Sequence, residues 1–509
     1  MRSTFLILLA LLLSAPALLV QAQPSGELVI ALPNDPTALY IANASDVTTI
    51  AVTRQLYDGL LWLDDEGTLH PGLAERWEIS DDSTQYTFYL REGVTFHNGE
   101  PFTAEAIVAA WEYGLTPGNE YPQYYSSADS VEVLDDFTVR VTTPEPDALF
   151  VIDLVEGWFA LPPRYLEEVG LEGFQRAPVG TGPFMLEEWV PGDRIVMRAY
   201  PDYWNPGEPK VERVVMRVIP DASTRVAAIQ TGEVDIVNRL NVEQATLLDS
   251  NADVRVISYP NDRVFYVAFK NLNSGMGTPI ESRQVRQAFN YAINRPGILQ
   301  ALFGGHGQLA TGFTAIGNLG YDPELKPYPY DPQRARELLA EAGYGDGFSI
   351  GLTCPADAYT NINEVCLTIQ RDLAAVGVDV ELQFLTTSKF WSEPNYGSTG
   401  PMFVDGWSTP AGEALPRIEG AHYPGLYYNS WVDDGITAYV DQLASTIDRE
   451  ERAALYRELS RYLFDDPPFV YLYTLNIFEA TTSRVTGYRP LPTETWYLNQ
   501  VAVDAQGTG

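Results

Sequence analysis

Lysine is almost missing from this chain. Lys210, Lys270, Lys326 and Lys389 are the only four in 509 residues, within a total of 32 basic and 68 acidic residues. The resulting formal charge of −36 excludes nucleic acid and anionic membrane surfaces as natural partners. It suits a salty habitat, where screening relieves the self-repulsion, and it names no ligand. Histidine is equally scarce. His70, His97, His306 and His422 are scattered, with no HExxH or paired-cysteine spacing, so no metal-binding motif is present. No phosphate loop or dinucleotide fingerprint occurs either, and no cofactor is expected. With 68 carboxylates, the choice of an acid/base pair for glycoside cleavage would be arbitrary.

Beyond the first twenty residues, no segment is long and apolar enough to span a membrane. The start itself reads as an export signal, residues 1–22. Arg2 is the positive flank, Phe5 to Leu13 the apolar core, and Val20-Gln21-Ala22 the cleavage region. Retention as an uncleaved anchor is the alternative, though Ser14 and Pro16 interrupt the run. No cysteine near the cleavage site could carry a lipid, which favours release into a periplasm. Cys354 and Cys366 are the only two cysteines, and export makes a bridge between them the natural reading, against two buried thiols. A bridge would stabilise the fold by roughly 2–3 kcal/mol.

The composition is 45% hydrophobic, enough for a large core, and the length suggests two or three structural units. Short strand and helix patterns mix throughout, the mark of an α/β or α+β chain. Strands are expected at 27–32, 85–90, 211–219, 264–269, 348–352, 378–384 and 469–475. Asp221, Asp331 and Asp448 are expected to cap helices, and Thr103 with Glu105 to open another.

Longer motifs then occur in a familiar order. They include LYDGLLWLDDEGTLHPGLAERWEISDDSTQYTFYLREGVTFHNGEPFTAE (56–105), VGTGPFMLEEWVPGDRIV (179–196) and PDYWNPGEPKVERVVMRVIPDASTRVAAIQTGEVDIV (201–237). VRQAFNYAINR (285–295) and YDPQRARELLAEAGY (330–344) follow. The chain resembles the peptide/nickel-type (family 5) periplasmic solute-binding proteins of ABC importers, those that bind oligopeptides and dipeptides. The Cys354-Pro355…Cys366 spacing also looks like a disulfide-bearing branch of that family.

The resemblance implies an α/β, two-lobed periplasmic-binding-protein fold (type II, cluster C-like) with an inserted third subdomain. Carried over, the first lobe is 23–264 with 479–509, the insertion 51–176, and the second lobe 265–478. The implied role is capture of a short peptide between the lobes by a monomer that delivers it to ABC permease subunits. An oligosaccharide or other polar metabolite is the alternative cargo.

In peptide-binding relatives a Gly-Trp element lines the pocket, and an Asp three residues after the Trp takes the ligand's ammonium group. Here the element is Gly406-Trp407, and the Asp position holds Pro410. Asp405 or Glu413 is the expected substitute anchor. Trp407 is the expected wall, unless it is only a core residue. Tyr124 and Tyr125, beside Tyr121, fall where relatives place a pocket tyrosine, and Thr49 matches a first-lobe contact position.

One enzyme pattern remains. Gly347-Phe348-Ser349-Ile350-Gly351 fits the hydrolase nucleophile elbow, with Asp405 and His422 following in order. The elbow requires strand, sharp turn, then helix. Here a turn precedes a strand, so Ser349 is expected inside the strand. A secreted serine hydrolase is therefore the remote alternative, and no catalytic residue is assigned.

Overall fold

Among the described residues of a computed structural model, strand periods, caps and turns resolve into 19 strands. The structure describes residues 23–43, 46–64, 68–119, 122–356, 358–409 and 412–504. The export signal, Tyr121 and Pro410 lie outside the described residues.

The first half contains β1 (Glu27–Leu32), β2 (Leu61–Leu63), β3 (Leu69–Pro71), β4 (Ala74–Ile79), β5 (Gln85–Leu90), β6 (Ser130–Asp135) and β7 (Thr138–Thr142). It continues with β8 (Phe184–Val190), β9 (Arg194–Ala199), β10 (Arg213–Val218), β11 (Ile236–Leu240) and β12 (Val254–Phe269). The second half contains β13 (Gly307–Leu309), β14 (Phe348–Pro355), β15 (Val378–Leu385), β16 (Met402–Trp407), β17 (Phe469–Thr482), β18 (Val485–Thr486) and β19 (Ala502–Val503).

Eleven strands form one sheet in the order β15-β14-β16-β12-β17-β11-β1-β10-β9-β8, with β13 also on β17. β4, β5, β7 and β6 make a separate antiparallel sheet, while β2–β3 and β18–β19 are small pairs. The apolar core divides in the same way. One large cluster joins Leu28 through Ile236 with Val485 through Val501, and another runs from Val264 to Tyr473. A small third cluster packs Val226 to Val254 against Phe478 and Ala480. The fold is α/β and two-lobed.

β12 and β17 join the halves. Val254–Pro260 pairs antiparallel with Asn476–Thr482, and Val264–Ala268 pairs with Phe469–Thr474. Between these ladders the register slips, so Asn261, Asp262 and Arg263 stand opposite Leu475 alone. This bulge explains why β12 runs from Val254, well before the strand expected at Val264. Pro260-Asn261-Asp262 reads locally as a break, and proline is tolerated in a strand at a bulge.

Local signals elsewhere hold. Asp221 accepts a hydrogen bond from the Thr224 amide at the start of the helix Ala222–Gln230. Asp331 caps Pro332–Glu341 and Asp448 caps Arg449–Asp465 in the same way. Away from the joining strands, the halves also touch where the Ala148 amide donates to the Ala444 carbonyl at 2.7 Å.

Cys354 at the end of β14 and Cys366 in the helix Ile362–Ala374 form a disulfide across 12 residues, with both residues fully buried. Cys354→Ser/Cys366→Ser is expected to lower unfolding stability by about 2–3 kcal/mol. Urea unfolding of the double variant and of the oxidised parent checks this, and coincident midpoints would refute it.

Candidate ligand-binding site

In open α/β sheets, ligands bind beyond the carboxyl ends of the parallel strands. β14, β15 and β16 are parallel and end at Pro355, Leu385 and Trp407. Their following loops bring Tyr359 and Trp391 against the end of β16. β1, β10 and β11 are the parallel strands of the other half.

Asp405 sits in the wall that these loops form at the end of β16, 3% exposed. Its carboxylate accepts from Tyr359 Oη at 2.8 Å, Trp391 Nε1 at 3.0 Å, Tyr396 Oη at 2.9 Å and the Gly406 amide at 2.8 Å. Burial raises its pKa, and the four donors oppose that rise. Both oxygens are thus committed, and Asp405 acts on the wall by fixing three aromatic side chains.

Trp407 is half-buried. Its ring lies against Gly420 of the helix Leu415–His422, where a Cβ would meet the indole at 2.4 Å, so only glycine fits beneath it. Tyr428 packs edge-on to the same indole, with ring centroids 5.7 Å apart.

Glu413 is fully buried and bound by Arg452 Nη2 at 2.7 Å and Tyr456 Oη at 2.8 Å. Thr49 is fully buried in the first turn of the helix Val47–Thr53. Its hydroxyl donates to the capping Asp46 at 2.6 Å and accepts from the Thr37 amide at 2.8 Å. Tyr125 is fully buried, with its hydroxyl on the Gly157 carbonyl at 2.7 Å and its ring stacked on Trp158. Tyr124 is half-buried beside Gly157, and its carbonyl accepts from Trp158 Nε1 at 2.7 Å. The six residues singled out in the sequence therefore form three groups: Asp405 with Trp407 on the wall, Glu413 within the interior of the second half, and Thr49, Tyr124 and Tyr125 in the first half.

A space lies where β12 crosses between the halves, lined from one side by Arg54, Glu156 and Thr493 and from the other by Asp262, Asn318 and Gly412. Two buried ion pairs flank it. Arg54 Nη2 contacts both Glu156 oxygens at 2.9 Å, and Arg417 Nη1 meets Asp262 at 3.0 Å. Sequence reasoning missed Asp262, Arg263, Tyr359 and Trp391. The Pro-Asn-Asp interruption of an otherwise strand-like run was the only local signal.

Ser349 lies within β14 and donates to Asp379 at 3.1 Å. His422 is fully buried, with Nδ1 on the Trp431 carbonyl at 3.1 Å, and burial lowers its pKa to about 4. Ser349 and His422 form no hydrogen-bonded pair, and the strand–turn–helix elbow is absent from this segment.

Residues 68–422 match the model of bacterial extracellular solute-binding proteins, family 5 middle. The chain belongs to this family. The glutathione-binding protein GsiB of Escherichia coli K12 is 32% identical over 484 residues, 92% of each chain. HbpA2 from Haemophilus parasuis superposes with a TM-score of 0.88 at 25% identity, covering 94% of this chain and 100% of its own. The periplasmic binding protein DppA of Helicobacter pylori, solved with the peptide STSA, gives a TM-score of 0.73 at 25% identity, covering 95% and 99%. Among the described residues no helix is long and apolar enough to cross a membrane.

Proposed function

We propose that this solute-binding protein captures a short peptide in the periplasm and delivers it, as a monomer, to the permease subunits of an ABC importer. The observation that carries this reading is the end-to-end match, 92% of both chains, to a protein that binds the tripeptide glutathione. In this reading the first lobe is 23–264 with 479–509, carrying the inserted subdomain 51–176, and the second lobe is 265–478. The joining strands β12 and β17 act as the hinge, and ligand that touches both lobes favours the closed state by population shift.

The wall supports the same reading. Tyr359 and Trp391, both held by Asp405, and Trp407 packed on Tyr428 offer aromatic faces for peptide side chains. Those faces would equally stack on sugar rings, which keeps an oligosaccharide as the second reading.

A thermal-shift screen of residues 23–509 against glutathione, di- to pentapeptides and oligosaccharides tests this directly. Ligand at a hundredfold excess over Kd stabilises the folded state by about 2.7 kcal/mol, enough to raise the melting temperature visibly. Peptide hits are the expected result. Sugar hits with silent peptides would replace the first reading by the second.

A further inference from the structure

We propose that Arg263 is the cargo's carboxylate anchor, so that the second lobe reads the acidic end of a peptide and not its ammonium end. This rests on the peptide reading above and adds which end of the peptide is gripped, and by what.

Arg263 closes the β12 bulge, at the floor of the cleft where the strand passes between lobes. Bulges beside binding sites re-aim side chains that a regular ladder would bury. Here Arg263 as a residue remains partly exposed, its guanidinium 5.4 Å from the Tyr359 ring centroid, with Nη1 donating to the Gly406 carbonyl at 2.7 Å. That single bond and the aromatic face hold the fork in place while leaving most of its five N–H donors unspent.

Its charge is also unspent. Around the cleft floor, Arg54 is paired with Glu156, Arg417 with Asp262, and Arg239 with Glu494. Arg263 makes no ion pair among the described residues. The chain has 68 acidic against 32 basic residues, yet none of the described acids is placed in an ion pair with this partly exposed arginine. The acids of this wall show the converse, since Asp405 and Asp262 are each saturated by protein donors. The wall therefore has a planar cation to offer and no free carboxylate, the chemistry that grips a ligand carboxylate in a bidentate fork.

Calorimetric titration of glutathione and trialanine, each as the free acid and as its C-terminal amide, tests this in the wild type, Arg263→Gln and Arg263→Lys. The wild type is expected to bind at least one free acid, and its amide at least tenfold more weakly. Arg263→Gln should weaken the free acid at least tenfold and leave the amide unchanged, with Arg263→Lys intermediate because it keeps the charge and loses the fork. Free acid and amide binding alike, with Arg263→Gln indifferent between them, would overturn the anchor and leave peptide capture standing. If Arg263→Gln fails to fold, an Arg263→Lys variant equal to wild type on the free acid overturns it as well. Silence of every peptide in the wild type would overturn the peptide reading and the anchor together.

Discussion

Replacing Asp262 by alanine is expected to destabilise the folded chain by about 3–5 kcal/mol, the cost of leaving a buried charge without its partner. Asp262 is 5% exposed and accepts from Arg417 Nη1 at 3.0 Å, Asn318 Nδ2 at 2.6 Å and the Thr409 amide at 2.7 Å. Arg417 is fully buried, and burial pulls its pKa down while the Asp262 carboxylate pulls it up. Loss of the carboxylate leaves the buried guanidinium and two further donors without their acceptor. The pair is not thereby a large net source of stability, since two charges must first be desolvated to form it. The double variant Asp262→Ala/Arg417→Met should accordingly recover much of the loss. Urea unfolding of the two variants beside wild type provides the measurement. An Asp262→Ala midpoint equal to wild type would sink the account, as would a double variant less stable than the single.

The second large effect concerns pH. Glu479 is fully buried on β17, one of the two strands that join the halves, accepting from Tyr259 Oη at 2.8 Å and Tyr488 Oη at 2.5 Å. Burial pushes its pKa from 4.5 up to about 7, against the pull of both tyrosine hydroxyls. A carboxyl whose folded value lies above its unfolded one is favoured by the fold in its neutral form. Its stabilising contribution is complete below the unfolded value of 4.5 and disappears as pH rises through about 7. The gap corresponds to on the order of 3 kcal/mol, at about 1.4 kcal/mol per pH decade. Glu479→Gln stays neutral throughout, so its stability relative to wild type should rise by that amount between about pH 4 and about pH 8. Other titrating groups cancel in this difference. Parallel stability profiles for the two proteins would show that Glu479 does not titrate as described.

The helix caps show what a sequence reading can reach. Asp221, Asp331 and Asp448 bind amides two or three residues ahead, so the deciding partners lie inside the window that was read. The strand expected at 264–269 shows where such a reading stops. Pro260-Asn261-Asp262 breaks the local pattern, yet β17, more than 200 residues later, holds both sides of the break in one strand. The candidate anchors fail to be legible for the same reason. Nothing near Asp405 in the sequence announces that Tyr359, 46 residues before it, will occupy one of its oxygens. Glu413 is consumed by Arg452 and Tyr456, 39 and 43 residues on.

By itself, then, the sequence determined the class of molecule: a strongly acidic α/β chain, with long ordered motifs that mark its family and local caps that place its helices. Those features depend on composition or on partners within a few residues. The tertiary structure alone decided which charges are spent and which remain for a ligand, because ionic satisfaction depends on groups brought together from across the chain. Asp262 meets Arg417 across 155 residues. Arg263, its immediate neighbour, meets no carboxylate among the described residues.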